Sequence, residues 1–162
     1  MQRLNFLVDD VGASHLAYSL LTNLNTMVRE RQDICPTIFY SNLTDQCVKP
    51  VEFTMMQMIE AFDQEGSMIA TSLPTAGRLL TMPRPMPKLY YVWDLEWQRY
   101  SNMQWSSVQR ILGSSELILL ARSESHKVAI ESCFDVRVHS IIEDFNLEQI
   151  LEVINDFFQI TA

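Results

Sequence analysis

The chain has 162 residues, a length typical of one domain, and its hydrophobic fraction of 48% is that of a globular protein and excludes a disordered chain. Twelve lysines and arginines face twenty aspartates and glutamates, which gives a formal net charge of −8. Because proteins that bind nucleic acids or anionic membrane surfaces depend on an excess of cations, the sequence argues against both kinds of partner.

Short apolar runs alternate with longer amphipathic stretches, a pattern typical of a parallel sheet covered by helices. In the first half of the chain we predict strands at 4–8, 37–40, 51–53 and 67–71, and helices at 13–31, 55–62 and 75–80. Five apolar residues of the first helix recur at spacings of three and four, so they share one face. They are Leu16, Leu20, Leu21, Leu24 and Met27.

The second half of the chain continues this alternation. We predict strands at 88–93, 116–121 and 136–142, and helices at 106–112, 123–133 and 146–158. The strand at 116–121 is the most apolar, so we expect it near the centre of the sheet. Six or seven strands, each followed by a helix, predict one α/β domain over 1–162 with a three-layer, doubly wound, Rossmann-like fold and a mostly parallel sheet.

The cysteines and the lack of long apolar runs indicate the cellular compartment of the protein. Cys35, Cys47 and Cys133 are widely spaced, without the CxxC spacing or the histidine partners of a zinc site. No apolar run approaches the ~20 residues that a membrane span requires. We therefore expect a cytoplasmic protein with free thiols.

The turn after the first predicted strand is one candidate ligand site, because ligands of doubly wound folds bind beyond the carboxyl ends of strands. It carries Asp10, Gly12 and His15, and Gly12 would let a ligand approach the backbone at the start of a helix. Adjacent acidic side chains would repel a phosphate, and neither a dinucleotide fingerprint nor a P-loop is present, so no cofactor is predicted. The alternative is an N-cap aspartate and a surface histidine.

The strand at 88–93 ends in an unusual segment that places Trp93, Asp94, Glu96 and Trp97 together. An indole beside a carboxylate can hold a sugar, because the ring covers the C–H face while the carboxylate accepts hydrogen bonds from hydroxyls. Asp94 is also a candidate general base. Alternatively, both tryptophans are core residues and the carboxylates are solvated or pair with an arginine.

The segment after the strand at 116–121 offers Ser123 and His126 at a helix start. Ser123 is a candidate ligand-binding residue, but no G-x-S-x-G elbow is present, and a role as N-cap is favoured. The histidines His15, His126 and His139 lie on separate predicted elements without ligand spacing, so no metal site is predicted.

Four segments carry motifs of a known family. They are a one-glycine turn with a Leu-Ala pair at 10–17, an Asp-Leu pair at 92–95, a Ser-Glu pair before a helix at 121–124, and a closing segment at 138–146. Together they resemble the N-terminal, acceptor-side half of retaining, nucleotide-sugar-dependent GT-B glycosyltransferases. The resemblance implies a Rossmann-like domain that binds a sugar or nucleotide sugar. The ligand-binding candidates are then Asp10, Gly12, His15, Trp93, Asp94, Glu96 and Ser123.

The chain also departs from that family. Trp93 stands where the family has a histidine before Asp-Leu, the Asn-Gly of the closing segment is absent, and these residues include no donor-binding second domain. The resemblance therefore implies a binding or accessory module, or one subunit of a split or dimeric enzyme. The overall likeness to small glycosyltransferase-like proteins of cyanobacterial phages implies the host cytoplasm as its location.

Two other functions stay open at this point. One is a self-sufficient, small sugar-active enzyme that uses Asp94 as its base. The other is a structural or regulatory protein, viral or not, that binds a partner protein or a second copy through an acidic C-terminal surface. From Glu131 onward, seven acidic residues face only Arg137.

Overall fold

The computed structural model describes residues 1–43, 47–83, 86–99 and 102–161. Within these ranges, one sheet of parallel strands runs in the order β3-β2-β1-β4-β5-β6-β7. The strands are β1 (Gln2–Asp10), β2 (Ile34–Asn42), β3 (Thr54–Gln57), β4 (Ser67–Ala70), β5 (Lys88–Val92), β6 (Leu117–Ala121) and β7 (Ser140–Ile141). The chain order reverses between β1 and β4, which is where a doubly wound fold places its ligand cleft.

Helices cover both faces of the sheet and complete three layers. They are α1 (His15–Glu30), α2 (Leu73–Leu80), α3 (Asn102–Leu112), α4 (Glu124–Phe134) and α5 (Leu147–Thr161). Neighbouring strand residues such as Phe6 and Leu7 point to opposite faces, so α1 and α5 share one core with Phe6, while α2, α3 and α4 share the other with Leu7. The predicted Rossmann-like α/β fold is therefore confirmed. Among the described helices, none is long and apolar enough to cross a membrane.

The prediction of a strand at 51–53 and a helix at 55–62 is wrong. The edge strand is Thr54–Gln57, and a 3-10 segment, Met58–Asp63, follows it. Met55 packs into one core and Met56 into the other, which is the alternation of a strand rather than the one-sided stripe of a helix. A run of methionines fits a strand and a helix equally well, and pairing with β2 makes this segment a strand.

The strand predicted at 136–142 is much shorter in the structure than in the prediction. Only Ser140–Ile141 pairs with β6, because the segment that follows α4 starts at Asp135 in the left-handed conformation and joins the sheet late.

Strand β6 is next to this edge strand, whereas β4 occupies the middle of the sheet. The prediction that the most apolar strand is central is therefore wrong, because helices bury both faces of β6 near the edge.

A buried tyrosine anchors the turn that follows β7, which we call the 142–146 corner. Tyr91 Oη donates to the carbonyl oxygen of Ile142 at 2.6 Å and accepts from the Phe145 N–H at 3.4 Å. Asp144 and Phe145 have φ values of 45° and 54°, which non-glycine residues adopt at a cost. These hydrogen bonds, together with the burial of the Phe145 ring, hold the corner in that conformation.

The Tyr91 hydroxyl makes stability depend on pH at the alkaline end. Burial raises the pKa of Tyr91 from 10.0 to about 12. Since the folded form keeps its proton more tightly than the unfolded form, we expect stability to be undiminished below pH 10 and to fall between pH 10 and 12. Urea unfolding at several pH values should show this fall in the wild type and in Tyr18→Phe, which alters an exposed tyrosine.

The Tyr91→Phe variant tests the same hydroxyl directly. It should cost about 1–3 kcal/mol at neutral pH, because a buried carbonyl loses its donor. The loss of stability between pH 10 and 12 should also shrink in this variant. An unchanged alkaline profile in Tyr91→Phe would contradict the assignment.

Candidate functional site

A cavity of about 440 Å³ lies at the carboxyl ends of β1, β4 and β5, where the strand order reverses. We call it the switch-point cleft. Its lining comes from the end of β1, the start of α1, and the segments that follow β4 and β5. The lining residues are Asp9, Asp10, Ser14, His15, Leu16, Thr71, Ser72, Trp93, Asp94, Glu96 and Arg99.

The cleft brings together most of the residues that the sequence singled out. Five of the seven candidates line it: Asp10, His15, Trp93, Asp94 and Glu96. Gly12 and Ser123 lie at the same edge of the sheet, outside the lining. Both have local structural roles outside the lining, and their assignment as ligand-binding residues stays a prediction.

The turn after β1 shows what Asp10 and Gly12 do. The Gly12 N–H donates to Asp10 Oδ1 at 2.7 Å, which closes the turn and buries Gly12. Helix α1 is capped by Ser14, whose hydroxyl accepts from the Ala17 N–H at 3.0 Å. The alternative interpretation predicted an aspartate as the N-cap of this helix, which is wrong because the cap is Ser14. Its prediction of a surface histidine is confirmed, because His15 is exposed.

Both tryptophans after β5 are core residues. Trp93 is 6% exposed, with the Phe145 ring stacked on it at 4.9 Å and the Arg122 guanidinium over its ring at 4.4 Å. Trp97 is also buried and packs edge-on against Phe134 at 5.1 Å. The indoles therefore lack an open face, and the predicted stacking of a sugar on Trp93 or Trp97 does not fit this arrangement.

The Asp94 carboxylate pairs with an arginine, as the alternative interpretation predicted. Its Oδ2 forms an ion pair with Arg99, and its Oδ1 accepts from the Leu95 N–H at 2.9 Å. Both oxygens therefore have protein donors. This arrangement positions Asp94 as a fixed hydrogen-bond acceptor at the rim rather than as a base aimed at a reacting proton.

Glu96 occupies the N-terminus of α2. Its Oε2 accepts from the Leu73 N–H at 3.1 Å, so a carboxylate of the protein occupies a helix N-terminus that would otherwise attract an anion. Ser72 caps the same helix: its hydroxyl accepts from the Thr75 N–H at 3.2 Å. The Ser72 hydroxyl also donates a short hydrogen bond to Asp9.

Asp9 and Ser14 belong to the candidate turn after the first predicted strand, whereas Thr71, Ser72 and Arg99 were not predicted to line the site. The segment after β4 carried a signal for Ser72. Ser72 precedes a proline at the second helical position and stands three residues before Thr75, which is a pattern of a capping box. Since β4 is adjacent to β1 at the reversal of strand order, its following residues were certain to reach the cleft once that order was known.

The cleft is acidic. Among the described residues of its lining, four carboxylates face one arginine, Arg99; they are Asp9, Asp10, Asp94 and Glu96. Within the described residues, no group of three or more His, Cys, Asp or Glu side chains is placed to hold a metal ion. Such a cleft repels anions and offers many hydrogen-bond acceptors.

Comparison with known proteins gives no family to which these residues can be referred. No family model, curated protein or solved structure matches the chain. The chemistry of the cleft is therefore the basis for assigning a function.

Ser123 should behave as a helix cap. Its hydroxyl accepts from the His126 N–H at 3.3 Å at the start of α4. We expect Ser123→Ala to lower the free energy of unfolding by about 1 kcal/mol. Ser106→Ala is the matched control, because Ser106 is exposed inside α3 and lies away from the start of α4, and it should change stability by less than about 0.5 kcal/mol. Equal effects of the two substitutions in urea denaturation would contradict the capping role.

Proposed function

We propose that this chain is a carbohydrate-binding domain, similar to the acceptor-side half of a GT-B glycosyltransferase, whose switch-point cleft takes an uncharged sugar. The observation that carries the proposal is the Glu96 carboxylate on the N-terminus of α2. A free helix N-terminus at the cleft would attract a phosphate, whereas the N-terminus of α2 carries a negative charge of the protein itself.

The remaining side chains of the cleft fit the same ligand. Carboxylates accept hydrogen bonds from sugar hydroxyls, and such charged acceptors form shorter and stronger bonds than neutral ones. Asp9 and Asp94 are held in place by Ser72 and Arg99, so their positions are fixed before a ligand arrives. The volume of about 440 Å³ lies within the roughly 300–1,000 Å³ of small-molecule sites.

The proposed domain would not transfer a sugar by itself. Transfer needs a nucleotide-sugar donor, and the acidic cleft disfavours the donor's phosphates, so the donor site would be supplied by another lobe, a partner protein or a second copy. The chain would then be an accessory module or one subunit of a split enzyme, in the cytoplasm of the host if it is a phage protein. Its three free cysteines suit a reducing compartment.

Isothermal titration calorimetry with matched ligands tests this function. The panel consists of neutral disaccharides, their phosphorylated forms and UDP-glucose. We expect a neutral sugar to bind at least about tenfold more tightly than its phosphorylated form, a difference of about 1.4 kcal/mol. Tighter binding of the phosphorylated ligand or of UDP-glucose, or no binding of any neutral sugar, would overturn the proposal.

A pair of variants locates the binding. Asp9→Asn keeps the shape of a lining side chain and removes its charge, so affinity for the neutral sugar should fall by about tenfold. Asp156→Asn removes the same charge from an exposed position on α5 and should leave the affinity unchanged. Equal affinities in the two variants would place the sugar outside the cleft.

A further inference from the structure

A second cavity lies at the opposite edge of the sheet, below the amino ends of β5 and β6. We call it the basal cavity, and its volume of about 540 Å³ is large enough for a small molecule. Of the ten described residues that line it, six are apolar and come from the end of α2, the loop after it, β6 and α5. They are Leu80, Met82, Pro83, Met86, Ile118 and Phe157.

A buried cation lines this apolar cavity. Lys88 is 6% exposed, and its ammonium donates to the Met82 carbonyl oxygen at 3.0 Å and to the Glu116 carboxylate at 2.9 Å. An ammonium group has three N–H donors, of which these acceptors use two. Because a buried charge is costly unless it is paired, Lys88 requires an anionic partner at this position.

Glu116 is a partner that can be exchanged. Its side chain is 62% exposed, whereas Lys88 is fixed at the start of β5. Because most of the Glu116 side chain is already in water, it can turn away when another carboxylate pairs with Lys88. A carboxylate from another molecule can then take its place without leaving the ammonium unpaired.

We propose that the basal cavity binds a monocarboxylate with an apolar body, such as a medium-chain fatty acid, which pairs with Lys88 in place of Glu116. The carboxylate neutralises the buried ammonium, and the apolar body covers the apolar side chains of the lining. A neutral alcohol of the same length would fill the cavity and leave Lys88 with Glu116. Preference for the anion over the alcohol is therefore the signature of this site, which is independent of the switch-point cleft.

Titration of the full chain with octanoate and 1-octanol, followed by amide chemical shifts, tests the proposal. We expect octanoate to bind at least about tenfold more tightly than 1-octanol, with shifts at Lys88 and Ile118. Glu116→Gln should bind octanoate several-fold more tightly than the wild type, because the competing carboxylate is gone. Glu60→Gln removes the same charge from an exposed position elsewhere and should leave the affinity unchanged.

Lys88→Met tests the cation itself, because methionine keeps much of the apolar stem and lacks the ammonium. The preference for octanoate over 1-octanol should disappear in this variant. If Lys88→Met fails to fold, the comparison of Glu116→Gln with Glu60→Gln decides. Equal binding of octanoate and 1-octanol, no binding of octanoate at millimolar concentration, or unchanged affinity in Glu116→Gln would each overturn the proposal.

Discussion

Replacing Phe145 with alanine is expected to lower the free energy of unfolding by about 3–5 kcal/mol. The Phe145 ring is fully buried and packs against Phe6, Tyr91 and Trp93, with centroids 6.4, 4.5 and 4.9 Å away. The substitution leaves a cavity among aromatic rings that strands β1 and β5 hold in place, so the site cannot collapse to fill it. For a chain of this length, the melting temperature should fall by roughly 10 °C.

Urea denaturation followed by circular dichroism measures the loss. Phe158→Ala is the matched control, since the Phe158 side chain is 50% exposed and near the end of α5. It should cost less than about 1 kcal/mol. A Phe145→Ala variant as stable as Phe158→Ala would show that the 142–146 corner is not packed as described.

The substitution of Gly66 by alanine should cost about 3 kcal/mol or more, because steric overlap adds to backbone strain. Gly66 has φ of 104°, a conformation that residues with a side chain rarely adopt. A Cβ added there would lie 2.7 Å from both the Cβ and the carbonyl oxygen of Arg3 on β1. To relieve this overlap with Arg3, β1 and the start of β4 would have to separate.

Gly77→Ala is the matched control for that prediction. Gly77 lies inside α2, and an added Cβ would be in ordinary contact with the Ile111 Cδ1 atom, at 3.4 Å. Alanine is favoured over glycine in a helix by about 0.5–1 kcal/mol, so this variant should be slightly more stable than the wild type. Thermal unfolding should therefore shift in opposite directions for the two variants, and a shift in the same direction would contradict the account.

The fold could be predicted because its signals are local. The apolar runs at 4–8, 67–71 and 88–93 are strands of the sheet, and the stripe on 13–31 becomes the buried face of α1. The edge at 54–57 could not be predicted, because a run of methionines fits a strand and a helix equally well until β2 provides pairing partners.

The candidate site was predictable in position and not in detail. Residues that follow β1 and β5 reach the same edge in any doubly wound sheet, so Asp10 and Asp94 could be placed together from the sequence. The burial of Trp93 depends on Phe145, which is remote along the chain and held in an uncommon backbone conformation. The contact of Glu96 with the start of α2 depends on how the segment after β5 packs against that helix, and no local sequence pattern predicts this packing.

The most direct test of the central claim, that the switch-point cleft takes an uncharged sugar, is a chemical-shift map of the isotope-labelled chain. We predict that a neutral disaccharide shifts the amides of Asp9, Ser72 and Asp94 and leaves those of α5 unchanged, while UDP-glucose at the same concentration shifts none of the three. Shifts at these amides with UDP-glucose alone, or disaccharide shifts only at other places, would contradict it.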